Sequence, residues 1–599
     1  GQKENIIDEE KSAEQGVQVT FEIQPRNLTP QFLKKLSFGK GKSKICVAGL
    51  DNQGFDADQN DTIQQQKLDK GIYAYPWDRT NLKSLSVDLK KLEKLDGYAS
   101  KVDVKSGIDD LVKVLLKEAH TDLEKVRAIW MWICHHIEYD IEGFINIAKA
   151  LTNPIDVLQS RKSICDGYAG LFERMCSIAG VECVKLSGYC KGYGYKIGQK
   201  FSGAPDHSWN AVLLEGKWHL LDSTWGAGHC SDTHFTFNYT EYYFLTHPAL
   251  FFESHFPEDK KWQLLKPTVS LKQFESNIFC KPEFYSAGLL SAHPETSIIK
   301  TAHGKATVSI EGHSPTLFLF NLNGTKNTGL MTLQKNGMKL EVYPPMTGNH
   351  TLEIFAKPYS SNDSYNLALS YFIQCNSVDR SFKFPKDFTN PLGPSWLTEE
   401  KGLLEPSHEE PIIHTEDGCC TISFTLLKDI RTMASLKSDD ITMTEDIMRR
   451  HIFQAEWENR VEFKIHLPQA GTYVLSIYAK KKTDHGSYDY VCNYLLCCTN
   501  TSIKWPVFPL AYSSWAENYE LVEPLAGVLP ANSNVHFKLR APGVEAMYVD
   551  DKRRFPLTLC DNGYWEGTCN TTGCQILGIF AKEKLTNTYS GLLEYKVKT

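Results

Sequence analysis

The sequence predicts a multidomain protein in which an α+β core is followed by three β-sandwich modules. Between residues 108 and 225, helical periodicity gives way to a strand and then to a hairpin, which is the element order of an α+β domain. Beyond about residue 280, short alternating segments are separated by Gly, Pro, Asn and Asp, and one motif recurs three times. A length of 599 residues also exceeds what one hydrophobic core normally organises.

Composition restricts the class of protein. Hydrophobic residues make up 42% of the chain and charged residues 23%, as in ordinary globular proteins. A net charge of −7 without a long basic run argues against nucleic-acid binding, and no apolar run is long enough to span a bilayer. The polar N-terminus does not resemble a secretory signal, and several of the 17 cysteines, such as Cys134, lie in apolar patterns. We therefore expect a cytoplasmic protein without membrane or nucleic-acid partners.

Residues 1–100 are the least informative part of the sequence. They are rich in charged and polar residues, and we expect partial disorder there. A calcium loop that would start at Asp56 is disfavoured, because Asp61 stands where the loop needs Gly and Lys67 stands where it needs Glu. The adjacent cysteine pairs beyond residue 400 lack zinc-finger spacing. The sequence therefore predicts neither a metal site nor a cofactor.

Two helices are predicted before residue 140. The first covers DDLVKVLLKEA, in which apolar residues recur at helical spacing. Thr121 and Glu124 form a capping-box pattern ahead of the second, whose apolar positions 123, 126, 130, 133 and 137 share one face. Trp130 is therefore expected first of all in the core. The adjacent His135 and His136 point in different directions, which disfavours a metal site on this helix.

Cys165 stands at the start of a third predicted helix. Residues 166–179 have apolar side chains at helical spacing, and Gly180 supplies a C-terminal stop. The next segment, VECVKLSGYC, is typical of a strand. A cysteine in this place lies beside the free backbone N–H groups of a helix N-terminus, which stabilise negative charge.

A hairpin follows, formed by HSWNAVLL, a Glu-Gly turn and KWHLLDSTW. If the turn has two residues, Leu214 pairs with Lys217, and counting outward puts His207 opposite Thr224. Side chains alternate between the faces of a strand, so His207 and Asp222 share one face as diagonal neighbours. The hairpin alone therefore predicts a His–Asp pair.

These residue types suit nucleophilic catalysis. A cysteine nucleophile must be a thiolate, which a neighbouring histidinium stabilises, and the same histidine can protonate a leaving amine. An aspartate on the other ring nitrogen fixes the tautomer. We therefore expect Cys165, His207 and Asp222 to form a triad that attacks protein amide bonds. The N–H of Cys165 is one expected oxyanion donor, and Gln159 and Trp130 are weaker candidates for a second.

The second half of the chain contains a threefold repeat. Three glycines, Gly348, Gly471 and Gly573, each precede an I-F-A-K or I-Y-A-K segment by six residues, and a tyrosine follows each segment at nearly constant distance. Three similar β-sandwich modules are therefore predicted, at 281–385, 386–505 and 506–599, behind a core domain at 101–280. No chemistry is expected in the modules.

Three segments carry a resemblance to a known superfamily: KVRAIWMWICHHIEYD, SICDGYAGLF and DHSWNAVLLEGKWHLLDSTWG are similar to the transglutaminase-like core. The stretch from about residue 100 to the C-terminus, including YYFLTHPALFFESHFPEDKKWQLL, resembles the kyphoscoliosis peptidase/hillarin family. The resemblance implies a papain-like α+β domain with β modules and a thiol peptidase activity. It also implies a cytoskeletal location at the muscle Z-disc and filamin-type protein partners. The family's triad carries over to Cys165, His207 and Asp222.

Two alternatives to a peptidase stay open. The first is a transamidase, which forms the same acyl-enzyme but passes it to a lysine amine. Calcium-dependent transglutaminases have a tryptophan beside the cysteine and acidic calcium loops, whereas here Asp166 and Gly167 follow Cys165. Hydrolysis is therefore favoured over cross-linking. The second alternative is a catalytically silent scaffold that acts through its modules on cytoskeletal proteins.

Overall fold

The structure is a computed structural model that describes residues 73–74, 81–231, 233–324, 328–381, 383–386, 388–439 and 444–598. The loop at Asp56 and most of the region expected to be partly disordered lie outside the described residues. Within the described ranges, no helix has both the length and the apolar character needed to cross a membrane.

The first unit is an α+β domain. Its helices are α1 Leu89–Ala99, α2 Ile108–Leu115, α3 Asp122–His136, α4 Ile141–Ile145, α5 Pro154–Ser160, α6 Cys165–Ala179, α7 Ser223–Ala227, α8 Pro248–Phe251, α9 Leu271–Ser276 and α10 Pro282–Ser286. Its strands are β1 Tyr73–Ala74, β2 Glu138–Tyr139, β3 Lys162–Ser163, β4 Cys183–Cys190, β5 His207–Leu214, β6 Lys217–Leu221, β7 Gly228–Cys230, β8 Phe235–Phe237, β9 Phe244–Thr246, β10 His255–Pro257 and β11 Leu265–Lys266. The main sheet is antiparallel in the order β10-β4-β5-β6-β9.

The core of this domain lies around α3. Its N-terminus is capped as predicted, since the Thr121 hydroxyl oxygen accepts the Glu124 N–H at 3.1 Å. The Glu124 carboxylate accepts from the N–H of His120 rather than of Thr121. Trp130 and Trp132 are fully buried, and α3 packs against α1 and α6. Four of the five predicted apolar positions, 126, 130, 133 and 137, are buried, and Leu123 is half-buried. Residues 127–129, 131, 132 and 134 are buried as well, so the middle of the helix is covered on all sides and not on one face alone.

The predicted hairpin is confirmed in register but not in length. Leu214 pairs with Lys217 across the turn, and the ladder ends where Asn210 pairs with Leu221. Thr224, expected opposite His207 in the second strand, instead lies in α7. The expectation for Thr224 was wrong because the Asp222 side chain accepts the N–H of Trp225 at 3.0 Å, which caps a helix where the strand was expected to continue.

The first module has strands β12 Leu289–His293, β13 Ile298–Lys300, β14 Ala306–Gly312, β15 Thr316–Leu322, β16 Gly329–Gln334, β17 Gly337–Val342, β18 Gly348–Pro358 and β19 Asn366–Cys375. The second contains α11 Trp396–Glu400, β20 Leu403–Leu404, β21 Ile412–Thr415, β22 Cys419–Leu426, β23 Ile430–Lys437, α12 Glu445–Met448, β24 Ile452–Trp457, β25 Arg460–His466, β26 Gly471–Lys481 and β27 Asp489–Cys498. Both have the same two sheets, β12-β14-β17-β16 with β13-β19-β18-β15, and β20-β22-β25-β24 with β21-β27-β26-β23. This is a sandwich of immunoglobulin type.

The third module repeats the two-sheet plan. Its strands are β28 Leu510–Ala511, β29 Glu520–Glu523, β30 Val528–Leu529, β31 Asn534–Arg540, β32 Val544–Asp550, β33 Arg554–Pro556, β34 Thr558–Leu559, β35 Trp565–Asn570, β36 Ile576–Glu583 and β37 Tyr589–Val597. One sheet has the order β29-β31-β35-β34, and the other has the order β28-β37-β36-β32-β33. The fold class predicted from the repeat is therefore confirmed for all three modules.

The repeated tyrosines explain part of the motif. Tyr371, Tyr494 and Tyr595 are all fully buried on the last strand of their modules. Each hydroxyl donates a hydrogen bond to a backbone carbonyl near the start of its own module, at 2.7, 2.7 and 2.8 Å. A buried phenol needs such a partner. The motif therefore ties the two ends of each sandwich together.

Candidate active site

Cys165 is the first residue of α6, and its side chain is half-buried. The preceding residue, Ile164, provides no side-chain cap for the helix. The first backbone N–H groups of a helix have no partner within the helix, and together with the helix dipole they favour an anion at that end. The local structure therefore suits a thiolate at Cys165.

A close backbone approach fixes the start of α6. β3 precedes the helix and pairs in parallel with β2, where Tyr139 lies beside Ser163. The Ser163 hydroxyl donates to the carbonyl of Leu151 at 2.7 Å. A Cβ at Gly167 would lie 1.9 Å from the Ser163 hydroxyl oxygen, so the first turn can lie against β3 only without a side chain there.

His207 and Asp222 are joined across the hairpin. The Nε2 atom of His207 lies 2.7 Å from Oδ2 of Asp222, and both side chains are buried. His207 opens β5, whereas Asp222 caps α7 directly after β6. The pair that the hairpin pattern predicted is thus formed in the structure, with Asp222 at a helix start instead of within a strand.

Cys165 also lies close to the His207 ring. Its thiol is within hydrogen-bonding reach of the imidazole. Because Nε2 is engaged by Asp222, Nδ1 is the nitrogen left to face the sulfur. The order sulfur, imidazole, carboxylate is the arrangement in which one histidine can serve a nucleophile while an acid orients it.

Electrostatics favour a charged pair inside the site. Burial opposes the charged form of His207, but the Asp222 carboxylate and the hydrogen bonds to Asp222 and Cys165 outweigh it and hold the pKa of His207 well above its usual value. Burial likewise opposes ionisation of Asp222, yet His207 and His255 hold its pKa well below the usual range. An imidazolium beside a carboxylate is therefore the favoured state at neutral pH.

Aromatic rings enclose this pair. The Trp225 ring stacks on His207 with centroids 5.0 Å apart, and the Trp209 ring lies 5.9 Å from it. A low-dielectric surrounding strengthens the hydrogen bonds within it. The rings therefore exclude water from the His207–Asp222 contact.

A second histidine reaches the same carboxylate. Nε2 of His255 lies 2.8 Å from Oδ2 of Asp222, the oxygen that His207 also contacts. His255 opens β10, which pairs with β4 so that His255 stands opposite Cys190. It is fully buried, and burial lowers its pKa to about 4. Sequence reasoning missed this residue.

The chain is similar to known proteins in its α+β domain and in its modules. Residues 109–223 match the transglutaminase-like superfamily, a range that contains all three triad residues. Residues 271–386 and 400–509 match the KY-like, immunoglobulin-like domain. The human protein named kyphoscoliosis peptidase is 53% identical over 97% of this chain and 86% of its own length. The chain belongs to the kyphoscoliosis peptidase family.

Two further relatives of the chain differ in how much of it they match. The mouse kyphoscoliosis peptidase is 52% identical over 97% of this chain and 86% of its own length. Hillarin of Drosophila melanogaster is 27% identical over 62% of this chain and 50% of its own length. The family resemblance expected from the sequence is therefore confirmed.

The two weaker oxyanion candidates of this kyphoscoliosis peptidase relative have different surroundings. The indole N–H of Trp130 donates to the hydroxyl of Tyr239 at 2.9 Å, and the ring is fully buried. Trp130 is thus committed to the core in this arrangement. Gln159 lies exposed on α5. The N–H of Cys165 at the start of α6 remains the donor that the helix geometry favours.

A second thiol near the triad is chemically different from Cys165. Cys190 is close enough to His207 for each to influence the charge of the other. Its backbone N–H donates to Asp206 at 3.0 Å. Burial raises the pKa of the Cys190 thiol to about 12. Cys190 is therefore a poor nucleophile at neutral pH.

One group of side chains in the described part of the chain could hold a metal ion. The ligand atoms of His207, Asp222 and His255 all lie within 4.8 Å of one another. However, both histidine nitrogens approach Asp222 Oδ2 at 2.7–2.8 Å, which is hydrogen-bonding distance. Zinc would need nitrogen ligands at about 2.0–2.1 Å around a common centre. The group is better described as a hydrogen-bonded cluster.

Proposed function

We propose that this protein is a cysteine peptidase that hydrolyses protein amide bonds through Cys165, His207 and Asp222. The observation that carries the proposal is the position of one buried imidazole, 2.7 Å from Asp222 and close enough to Cys165 for a side-chain hydrogen bond. Membership in a family that contains kyphoscoliosis peptidase supports the same class of reaction.

The first half of the reaction acylates the enzyme. The Cys165 sulfur attacks the carbonyl carbon, a C–S bond forms and the carbonyl electron pair moves onto oxygen. The Cys165 N–H at the start of α6 stabilises that oxyanion, with Gln159 as a candidate second donor. When the intermediate collapses, the C–N bond breaks and His207 gives its proton to the leaving amine. A thioester and a neutral His207 remain.

The second half releases the acyl group. His207 removes a proton from water as the water oxygen attacks the thioester carbonyl. Collapse breaks the C–S bond, so the thiolate and the imidazolium form again together and a carboxylic acid leaves. Asp222 stays ionised throughout and holds His207 in the required orientation.

The β modules supply binding in this proposal. They account for residues 289–597, about half of the chain. We propose that they bind cytoskeletal proteins of filamin type and keep the enzyme at the cytoskeleton, in muscle at the Z-disc. This part of the proposal is supported by the family resemblance of the chain and by the sandwich architecture of its modules.

The test compares cysteines within one chain. The described residues include 16 free cysteines, of which Cys230 and Cys419 are half-buried like Cys165. The full-length protein is treated with limiting iodoacetamide at neutral pH, and the label at each cysteine is quantified by mass spectrometry. We expect Cys165 to react fastest and to lose that advantage in His207→Gln, while Cys230 and Cys419 are unchanged. Equal rates at all three sites would contradict an activated nucleophile.

A transamidase is the second candidate, because the matching superfamily is named after transglutaminases. It would form the same thioester but pass it to a primary amine. Incubation with casein and a fluorescent primary amine, with and without calcium, separates the two. Release of peptides without amine incorporation supports the peptidase, whereas incorporation that Cys165→Ala abolishes supports the transamidase. If neither occurs and partner binding survives Cys165→Ala, the protein is a scaffold.

A further inference from the structure

The carboxylate of Asp222 is shared by two histidines. Its Oδ2 atom lies 2.7 Å from Nε2 of His207 and 2.8 Å from Nε2 of His255. Its Oδ1 atom accepts the backbone N–H of Trp225 at 3.0 Å. A fully buried carboxylate therefore has three donors, of which only His207 has a part in the chemistry proposed for the triad.

The hydrogen bonds of His255 define its tautomer. An ionised carboxylate can only accept, so His255 must carry its proton on Nε2 to bond Asp222. The other nitrogen, Nδ1, lies 2.8 Å from the hydroxyl oxygen of Ser254, which can donate to it. Because burial lowers the pKa of His255 to about 4, the ring is neutral at physiological pH. A neutral Nε2–H imidazole satisfies both contacts.

Packing holds the ring of His255 in place. It stacks on Phe251 with centroids 4.0 Å apart and lies 4.5 Å from Trp225 and 5.0 Å from Trp209. The titratable groups that face it are Asp222, His207 at 5.5 Å between ring centroids, Tyr243 at 6.4 Å, and Cys190 across the β4–β10 ladder. Of these, only Asp222 is hydrogen-bonded to it in the described structure.

We propose that His255 is a positioning residue of the Cys165–His207–Asp222 site, acting through Asp222 as a fixed neutral hydrogen-bond donor. This inference rests on the proposed function. Each donor that a carboxylate accepts weakens its basicity, so His255 keeps the shared proton on His207 rather than on Asp222. It also holds Oδ2 in the direction of His207. The site is thus a tetrad in hydrogen bonding, although three residues carry the reaction.

The test separates the donor from the ring. His255→Phe keeps an aromatic ring against Phe251 and removes the donor, whereas His255→Gln retains an amide that can donate to Asp222. His219→Phe is the matched control, because His219 is equally buried on β6 and bonded at 2.6 Å to Ser84, away from the triad. All variants are made in the full-length chain, and thermal unfolding is recorded for each.

Two readouts are used. We expect iodoacetamide alkylation of Cys165 at neutral pH to slow about tenfold in His255→Phe, the size expected for a lost hydrogen bond to a charged group, and to stay within about threefold in His255→Gln. His219→Phe should leave the rate unchanged. Histidine ¹⁵N NMR should show one protonated and one unprotonated nitrogen in His255, and two protonated nitrogens in His207.

The outcomes distinguish this inference from the proposed function. Slow alkylation in His207→Gln together with an unchanged rate in His255→Phe overturns the role of His255 alone. If neither variant changes the alkylation rate of Cys165, the proposal of an activated nucleophile is itself overturned. Equal slowing in His255→Phe and His255→Gln, or a His255 ring protonated on Nδ1, means that the residue only packs and likewise overturns the proposal.

Discussion

Gly188 lies directly opposite His207 in the β4–β5 ladder. A Cβ at position 188 would lie 2.0 Å from the carbonyl oxygen of Phe256 and 2.6 Å from the ring of Trp209. Both neighbours belong to the surroundings of the site, since Phe256 follows His255 on β10. The absence of a side chain at one position therefore allows β4, β5 and β10 to bring both histidines to Asp222.

Gly188→Ala is expected to disturb the packing around the site without changing any residue of the triad. The methyl group must push β10 or Trp209 aside, which we expect to destabilise the α+β domain by about 3 kcal/mol. Alkylation of Cys165 should slow as His255 moves. Gly97→Ala in α1, where a Cβ meets nothing within 4 Å, is the control and should be neutral or slightly stabilising. Thermal unfolding and Cys165 alkylation rates are measured for both variants. Similar values in the two variants would contradict the role given to Gly188.

Asp222→Asn should abolish most activity. The asparagine amide has only one acceptor oxygen, so its NH₂ group must face at least one of the three N–H donors that Asp222 accepts. His207 also loses the charge that stabilises its imidazolium. We expect the hydrolysis rate to fall by about 10³- to 10⁴-fold, as when a triad histidine is held in the wrong tautomer. Asp206→Asn is the matched control, because this exposed neighbour keeps an oxygen that accepts the Cys190 N–H. A comparable loss in both variants would point to general disruption instead.

Mild acid is expected to destabilise the α+β domain. Burial lowers the pKa of each of His219, His247 and His255 to about 4, so the folded state keeps them neutral where the unfolded chain protonates them. Each neutral histidine contributes up to about 3 kcal/mol to the free energy of unfolding. This contribution is complete above pH about 6.5 and is lost as the pH falls toward 4. His207 differs in sign. Its raised pKa gives stability that is complete below pH about 6.5 and is lost only as pH rises through its folded value.

Thermal unfolding of the full chain, followed by tryptophan fluorescence, tests this window. The unfolding temperature of the α+β domain should decrease as the pH is lowered from about 6.5 to 4, before most carboxylates titrate. His219→Gln should flatten the decline, because one of the three protons is then no longer taken up on unfolding. A midpoint that stays constant over this range would contradict the assignment of three neutral buried histidines.

The sequence could predict the parts of the site that depend on local geometry. His207 and Asp222 are joined by a two-residue turn, so the period of a strand is enough to put them on one face. Cys165 follows from a helix whose apolar spacing and Gly180 stop are both local. His255 depends on β10 crossing back to pair with β4, a contact between distant segments, and neither periodicity nor capping reveals such a pairing. The short segment around it is mainly apolar, which is typical of a core strand.

Thr224 and Trp130 show a second limit of prediction from the sequence, because their surroundings depend on single hydrogen bonds. The turn into α7 depends on one hydrogen bond from the backbone N–H of Trp225 to the Asp222 side chain, which competes with continuation of β6 and leaves no trace in the hydrophobic pattern. The direction of the Trp130 indole depends on Tyr239, a residue more than 100 positions away. Its burial could be predicted from helical spacing, but the partner of its N–H could not.

The repeated tyrosines lead to a prediction for the modules. Tyr371→Phe, Tyr494→Phe and Tyr595→Phe each remove a buried hydroxyl that donates to the carbonyl of a half-buried residue, Pro294, His408 and Pro524 respectively. Losing one such bond costs about 1–2 kcal/mol, because a partly buried carbonyl is left without its donor. Since the bond ties the last strand of a module to its start, each change should lower the unfolding midpoint of its own module.

Calorimetry of the full chain can resolve this, with Cys165 alkylation as an independent reading of the α+β domain. Tyr589→Phe serves as the control for Tyr595→Phe, because it lies on the same strand with 40% of its surface exposed. We expect Tyr595→Phe to shift one transition and leave the alkylation rate of Cys165 unchanged, while Tyr589→Phe shifts none. If all transitions moved together, the modules would unfold as one cooperative unit and the repeat would not mark independent sandwiches.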